Sequence, residues 1–270
     1  MKQLYFLHIP KTAGKFVGKC VRDSLSDTDL KIYISTHYPN EFNVFDKAYV
    51  SGHFGTYPIE KNPSMDVACL LRNPIDARVS YFNFIYKDQM VGRPEYDNLN
   101  SYLDKLRYYL FNDPNYELHN NYQARFICNA ANEKSFNLKG FHEDYGNQMM
   151  KDIGWDRGKA FTWFVGNDNT SLDLAMQNII SFRIVNTADR IDLFMEKMNE
   201  WFIDNYNQEI KYNILNKVNN SSTEYNGVVY TTKDLLDLLT EDEKELIVKN
   251  NYIDYAMYSY ISGKELLGSV

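Results

Sequence analysis

Two short runs, QLYFLHI at residues 3–9 and DVACLL at residues 66–71, are apolar at nearly every position instead of alternating. A strand with that pattern is buried on both faces, as happens when helices cover both sides of a parallel sheet. Residues 30–35 alternate as a strand, and residues 48–51 and 182–185 add two short ones. Helical patterns fall between them at residues 14–25, 74–86, 99–110, 116–128, 171–180 and 188–202. Strands alternating with helices define an α/β chain with a central, mostly parallel sheet.

Local signals sharpen this outline. Asn73 suits a helix N-cap and Pro74 the first helical position. In the helix at 188–202, Ile191, Phe194, Met195, Met198 and Phe202 share a face. Thr240 and Glu243 form a capping box for a final helix running to Ile261. Residues 133–168 carry Gly140, Gly146, Gly154, Gly158 and Gly166 and read as an irregular insertion of loops. No repeat, low-complexity tract or linker interrupts the chain, so residues 1–270 are expected to form a single domain.

Composition narrows the function. The formal net charge of −7 excludes a general nucleic-acid binder, so any anionic ligand must be held by a local cluster of donors. Cys20, Cys69 and Cys128 are isolated, with neither metal-site nor disulfide spacing, and are expected to be buried thiols. No signal peptide is legible, and no apolar run approaches the roughly 20 residues that span a bilayer. The expectation is a cytoplasmic protein without a membrane partner.

The chemistry concentrates in HIPKTAGKF, residues 8–16, between the first strand and the first helix. That is the arrangement in which backbone N–H groups converge on an anion. Aligned with a Walker A loop on Gly14-Lys15, the sequence puts Ile9 at the first glycine and Phe16 at the magnesium-binding hydroxyl. Phe cannot supply the oxygen that magnesium requires. A phosphate-bearing ligand that needs no metal fits better.

A second cluster is LLRNPIDARVSYFNF, residues 70–84. Arg72 closes a strand, at the end where open α/β sheets bind ligands, and its guanidinium can fork onto a phosphate. Ser80, about two helical turns later, offers a hydroxyl. Arg78 reads as structural, pairing with a carboxylate such as Asp76 or Asp88.

HIPKTAGKF resembles the HIPKTGGTS signature of the Golgi-type sulfotransferases, the group that contains heparan sulfate 2-O-sulfotransferase. Residues 70–84 resemble the same family's R-[ND]-P-x-x-R-x-x-S-x-[YF] motif, matched by Arg72, Asn73, Pro74, Ser80 and Phe82, with Arg78 one place after the motif's second arginine. The resemblance implies a P-loop-like sulfotransferase fold with 3′-phosphoadenosine 5′-phosphosulfate (PAPS) as donor and PAP as product. It implies that Lys11 meets the oxygen between sulfate and phosphate, and that Thr12, Ala13, Gly14, Lys15 and Phe16 hold the 5′ end through backbone N–H groups. Arg72 and Ser80 would hold the 3′-phosphate. Ala13, Lys15 and Phe16 depart from the signature, which has Gly, Thr and Ser there. His53, flanked by Gly52 and Gly55, resembles the family's G-H-[VF] segment, whose histidine is the proposed base. His37 is the alternative base; His8 reads as a structural partner, and His119 and His142 as surface residues.

Weaker matches complete the resemblance. In NNYQARFICN, Asn121, Gln123 and Arg125 are read either as facing a ligand or as the wet side of a helix. Asp189 takes the place of a family Glu, and Asn219 and Ser221 are candidate nucleotide contacts. The implied reaction is metal-free, in-line sulfuryl transfer to a carbohydrate or small alcohol. Two alternatives stand beside it, a P-loop small-molecule kinase and a non-catalytic binder of PAP or glycan.

Overall fold

The computed structural model describes residues 2–34, 46–86, 90–113, 120–130, 169–214 and 222–263. Five parallel strands form the central sheet: β1 (Leu4–Leu7), β2 (Ile32–Ile34), β3 (Tyr49–Gly52), β4 (Asp66–Leu71) and β5 (Ile184–Thr187), in the order β2-β3-β1-β4-β5. The central position of β1 explains its unbroken apolar run. It pairs with β3 up to Leu7↔Gly52 and with β4 up to Leu7↔Cys69, while β4 continues along β5 to Leu71↔Thr187.

Successive side chains of a strand point to opposite faces, so the sheet divides the core in two. Tyr5, Leu7, Val50, Val67, Cys69 and Leu71 face one layer, built on α3 (Pro74–Ile85), α5 (Tyr102–Phe111), α6 (Tyr122–Cys128) and α7 (Leu172–Ser181). Leu4, Phe6, Tyr49, Ala68 and Leu70 face the other, built on α1 (Gly14–Leu25) and α8 (Ile191–Tyr206). The five apolar residues expected on one face of α8 are all in that second core. The shorter α2 (Tyr57–Lys61) and α4 (Pro94–Asp97) each begin at or beside a proline, where its missing N–H costs nothing.

Several boundaries differ from the sequence expectation. A 3₁₀ turn, Ala188–Arg190, precedes α8, which runs on to Tyr206. The carboxyl-terminal part is richer than one long helix. It holds a hairpin of β6 (Ser222–Tyr225) and β7 (Val228–Thr231), then α9 (Thr232–Leu238), α10 (Glu241–Asn250) and α11 (Tyr252–Ser262). Asn226 and Gly227, both at positive φ (51° and 77°), turn the hairpin as an Asn-Gly pair does. The capping box of Thr240 and Glu243 starts α10 as expected, but the helix breaks at Asn251. There the buried Asn251 side chain donates to the Ile247 carbonyl at 2.7 Å and accepts from the Asn121 N–H at 2.9 Å.

Cys20, Cys69 and Cys128 are buried free thiols. Among the described residues no helix is long and apolar enough to cross a membrane. The insertion expected at 133–168 lies outside the described residues.

Candidate functional site

The chain leaves β1 toward β2 and β3 on one side and leaves β4 toward β5 on the other. Connections that diverge from neighbouring strands open a crevice at their carboxyl ends, the common ligand position in open α/β sheets. The loop at residues 8–13 follows β1, His53 follows β3 and Arg72 follows β4. The three segments singled out in the sequence therefore meet at one edge of the sheet.

The loop after β1 is wound unusually tightly. Lys11 and Ala13 both adopt left-handed backbone, with φ of 66° and 69°. Side chains other than glycine rarely accept that region, and turns of this kind point successive N–H groups into a concavity that suits an anion. The Thr12 hydroxyl donates to the Ile9 carbonyl at 2.8 Å, and its N–H also points there, at 3.4 Å. The Phe16 N–H donates to the Ala13 carbonyl at 3.0 Å. Of the five amides expected to hold an anion, Thr12 and Phe16 are thus committed inside the turn. Ala13, Gly14 and Lys15 keep N–H groups with no backbone partner among the described residues, as the first turn of a helix leaves them. The Phe16 side chain packs against the core beneath, filling the place of a metal-binding hydroxyl with hydrocarbon.

Three cations gather over this turn. The Arg72 guanidinium donates from Nη1 to the Lys11 carbonyl at 3.1 Å, joining the two loops. Lys11 Nζ lies over the Phe84 ring, 4.6 Å from its centre. Burial, with Arg72 and Lys15 close by, brings the Lys11 ammonium down to about 8. Among the described residues no carboxylate forms an ion pair with Lys11, Lys15 or Arg72.

His8 and His53 stand together, ring centres 4.3 Å apart. Burial, then His53 and Lys15, hold His8 well below the usual imidazole range, so it is neutral near pH 7. Its ring occupies the space a side chain on Gly14 would take: a Cβ there would lie 2.0 Å from His8 Nε2. The His8 carbonyl receives His53 Nδ1. With Nδ1 carrying the hydrogen, neutral His53 has its basic lone pair on Nε2. His8 is thus the structural partner expected, through its main chain as well as its ring.

Ser80 is wholly buried, and its hydroxyl has no hydrogen-bond partner among the described residues. Ser80 lies one helical turn before Phe84 on α3, the residue whose ring covers Lys11. Among the described residues Arg78 makes no ion pair with Asp76 and its Nε and Nη1 have no hydrogen-bond partner; it is buried against the Tyr109 ring at 4.8 Å, and its charge acts on the buried Asp254 carboxylate. Asp88 is outside the described residues.

The reading of Asn121 and Gln123 as ligand-facing or wet is corrected. Gln123 is fully buried, and its side-chain amide accepts from the Arg72 N–H and donates to the Arg72 carbonyl, both at 2.9 Å. Asn121 caps α11, accepting from the Ile253 N–H at 2.9 Å. Arg125 donates from Nε to the Asn120 carbonyl at 3.2 Å. Asp189 is exposed in the 3₁₀ turn. His37, His119, His142, Asn219 and Ser221 lie outside the described residues.

Two surface cavities open elsewhere, one beside Lys2, Asp66, Arg183 and Trp201, the other beside Thr56, Met65, Leu174 and Phe182. Neither includes Lys11, His53 or Arg72. A scan of protein-family models and a search of curated proteins each found no match to this chain.

Proposed function

We propose that the protein is a PAPS-dependent sulfotransferase acting on the hydroxyl of a carbohydrate or small alcohol. The observation that carries this reading is the convergence of Lys11, Lys15 and Arg72, unpaired with carboxylates among the described residues, around a left-handed turn at the carboxyl ends of adjacent strands. Cations held this close repel one another, and an anion among them relieves that repulsion. The extent of the cluster, from the β1 turn to the end of β4, fits a ligand with anionic groups at two places. The apolar Phe16 favours a donor used without magnesium over a nucleoside triphosphate.

In this reading the N–H groups of Ala13, Gly14 and Lys15 hold the 5′ end, with Thr12 shaping the turn and Phe16 anchoring it. Arg72 and Ser80 take the 3′-phosphate. His53 Nε2 removes the acceptor proton as the new O–S bond forms. The bond from sulfur to the phosphate oxygen breaks, and Lys11 stabilises the charge that the departing PAP carries.

Thermal melts with PAP, PAPS, ATP and ATP plus magnesium test the class, because a ligand of the folded state raises its melting point. PAP and PAPS are expected to stabilise the protein without metal. Arg72→Ala should weaken PAP binding tens-fold, a loss of about 2 kcal/mol. His53→Ala should bind PAP normally yet turn over roughly 10²- to 10⁴-fold more slowly. Stabilisation by ATP only when magnesium is present would replace this reading with the kinase. PAP binding without transfer to any acceptor would leave a binding protein.

A further inference from the structure

Two consecutive residues at the start of α6 hold the two loops of the site. The Tyr122 hydroxyl donates to the Pro10 carbonyl at 3.2 Å, in the turn after β1. Gln123 clasps the backbone of Arg72 through both halves of its side-chain amide. The β1–β4 ladder ends at Leu7↔Cys69, so sheet hydrogen bonds do not set the spacing of the loops beyond it. The first turn of α6 spans that gap. It is itself anchored: Asp254 of α11 accepts from the N–H groups of Gln123 and Ala124 at 3.2 and 2.8 Å. In return, the Asn121 side chain accepts from Ile253 and Asp254 at 2.9 and 3.3 Å. Each helix start thereby satisfies the other's orphan amides.

We propose that Tyr122 and Gln123 form a bracket that sets the distance between the two anion-binding loops, tuning the site to a ligand anionic at both ends. The proposal rests on the two-ended reading given above. A ligand held by one loop is indifferent to that spacing. A ligand held by both gains its second contact at little further cost only when the loops are already correctly apart. Tyr122 and Gln123 are positioning residues: neither is required to touch the ligand.

The test compares PAP with adenosine 5′-phosphate and adenosine 3′-phosphate by calorimetry, in wild type, Tyr122→Phe and Gln123→Met. Tyr122→Phe keeps the ring beside Tyr81, whose centre is 5.9 Å away, and removes only the hydroxyl. Gln123→Met keeps the length of the side chain and removes both hydrogen bonds to the Arg72 backbone without adding charge. Each variant is expected to lose about tenfold or more in PAP affinity while both monophosphates stay within about twofold of wild type. Equal losses for all three ligands would reveal a general structural role and overturn the bracket, as would unchanged PAP affinity in both variants. Wild-type protein that holds PAP no more tightly than either monophosphate would remove the two-ended reading, and the bracket with it, before any variant is made.

Discussion

Lys11 is an ammonium whose charge is only just retained at neutral pH. Its depression from an ordinary 10.5 to about 8 comes first from burial, then from Arg72 and Lys15, and all three disfavour the charged form. A bound anion reverses the balance, because the charged form is the one that binds. Affinity for PAP should therefore be level from pH 7 to about 8 and fall by up to about tenfold per pH unit above it, until the raised value of the complex is reached. The phosphates of PAP are already ionised there and add no opposing trend. Lys11→Arg, which stays charged, should hold a flat profile to about pH 10. Calorimetric titrations across that range decide the matter; a wild-type affinity unchanged at pH 9.5 would mean that Lys11 does not meet the anion. The lysine itself was legible in HIPKTAGKF. Its lowered pKa was not, since that arises first from burial in the folded chain and then from an arginine 61 positions later.

At the level of elements, the β1–α1 turn and the α6 start behave differently as sequence. The turn is local: Pro10, Thr12 and Gly14 within a few residues fix its course, and α1 runs over Gly14–Leu25 as the pattern indicated. Its strain is local too. Ala13 at φ 69° carries a steric penalty that glycine escapes, so Ala13→Gly should stabilise the protein by about 1 kcal/mol. Gly14→Ala should do the opposite by about 1–3 kcal/mol, because its Cβ would drive the His8 ring from its place against His53. Urea denaturation of the two variants measures both; a destabilised Ala13→Gly would show that the turn draws no strain from that residue. The α6 start, by contrast, is assembled from contacts 51 to 133 positions apart. The same polar letters would suit a wet helix face, and nothing in NNYQARF reveals that its amide clasps Arg72. The β6–β7 hairpin is an intermediate case. Asn226-Gly227 between β-prone residues is a strong local turn signal, but which strands it joins is set by the pairing of β6 with β7.

Across the whole molecule, the sheet is shared by two apolar layers. Phe194 is buried beneath it, 5.6 Å from Phe6, and Phe82 above it, packed among Tyr86, Tyr102 and Tyr109. If residues 1–270 act as a single cooperative unit, Phe194→Ala and Phe82→Ala should each cost about 3–5 kcal/mol and shift one common transition. Two separated transitions by fluorescence and circular dichroism would divide the chain into two units. The covered parallel sheet was implied by sequence because strand burial leaves a mark on every residue: DVACLL cannot face water on either side. Sequence also determined where the cationic residues enter the chain, Lys11 and Lys15 after the first strand and Arg72 after another, since strand ends are set by the same local pattern. Only the tertiary structure decided that those strands are neighbours, which amides the turn leaves open, and that Tyr122 and Gln123 tie the two loops together. Strand order and long-range hydrogen bonds depend on which partners the folded chain brings within about 3 Å, and that geometry leaves no periodic signal in the order of the residues.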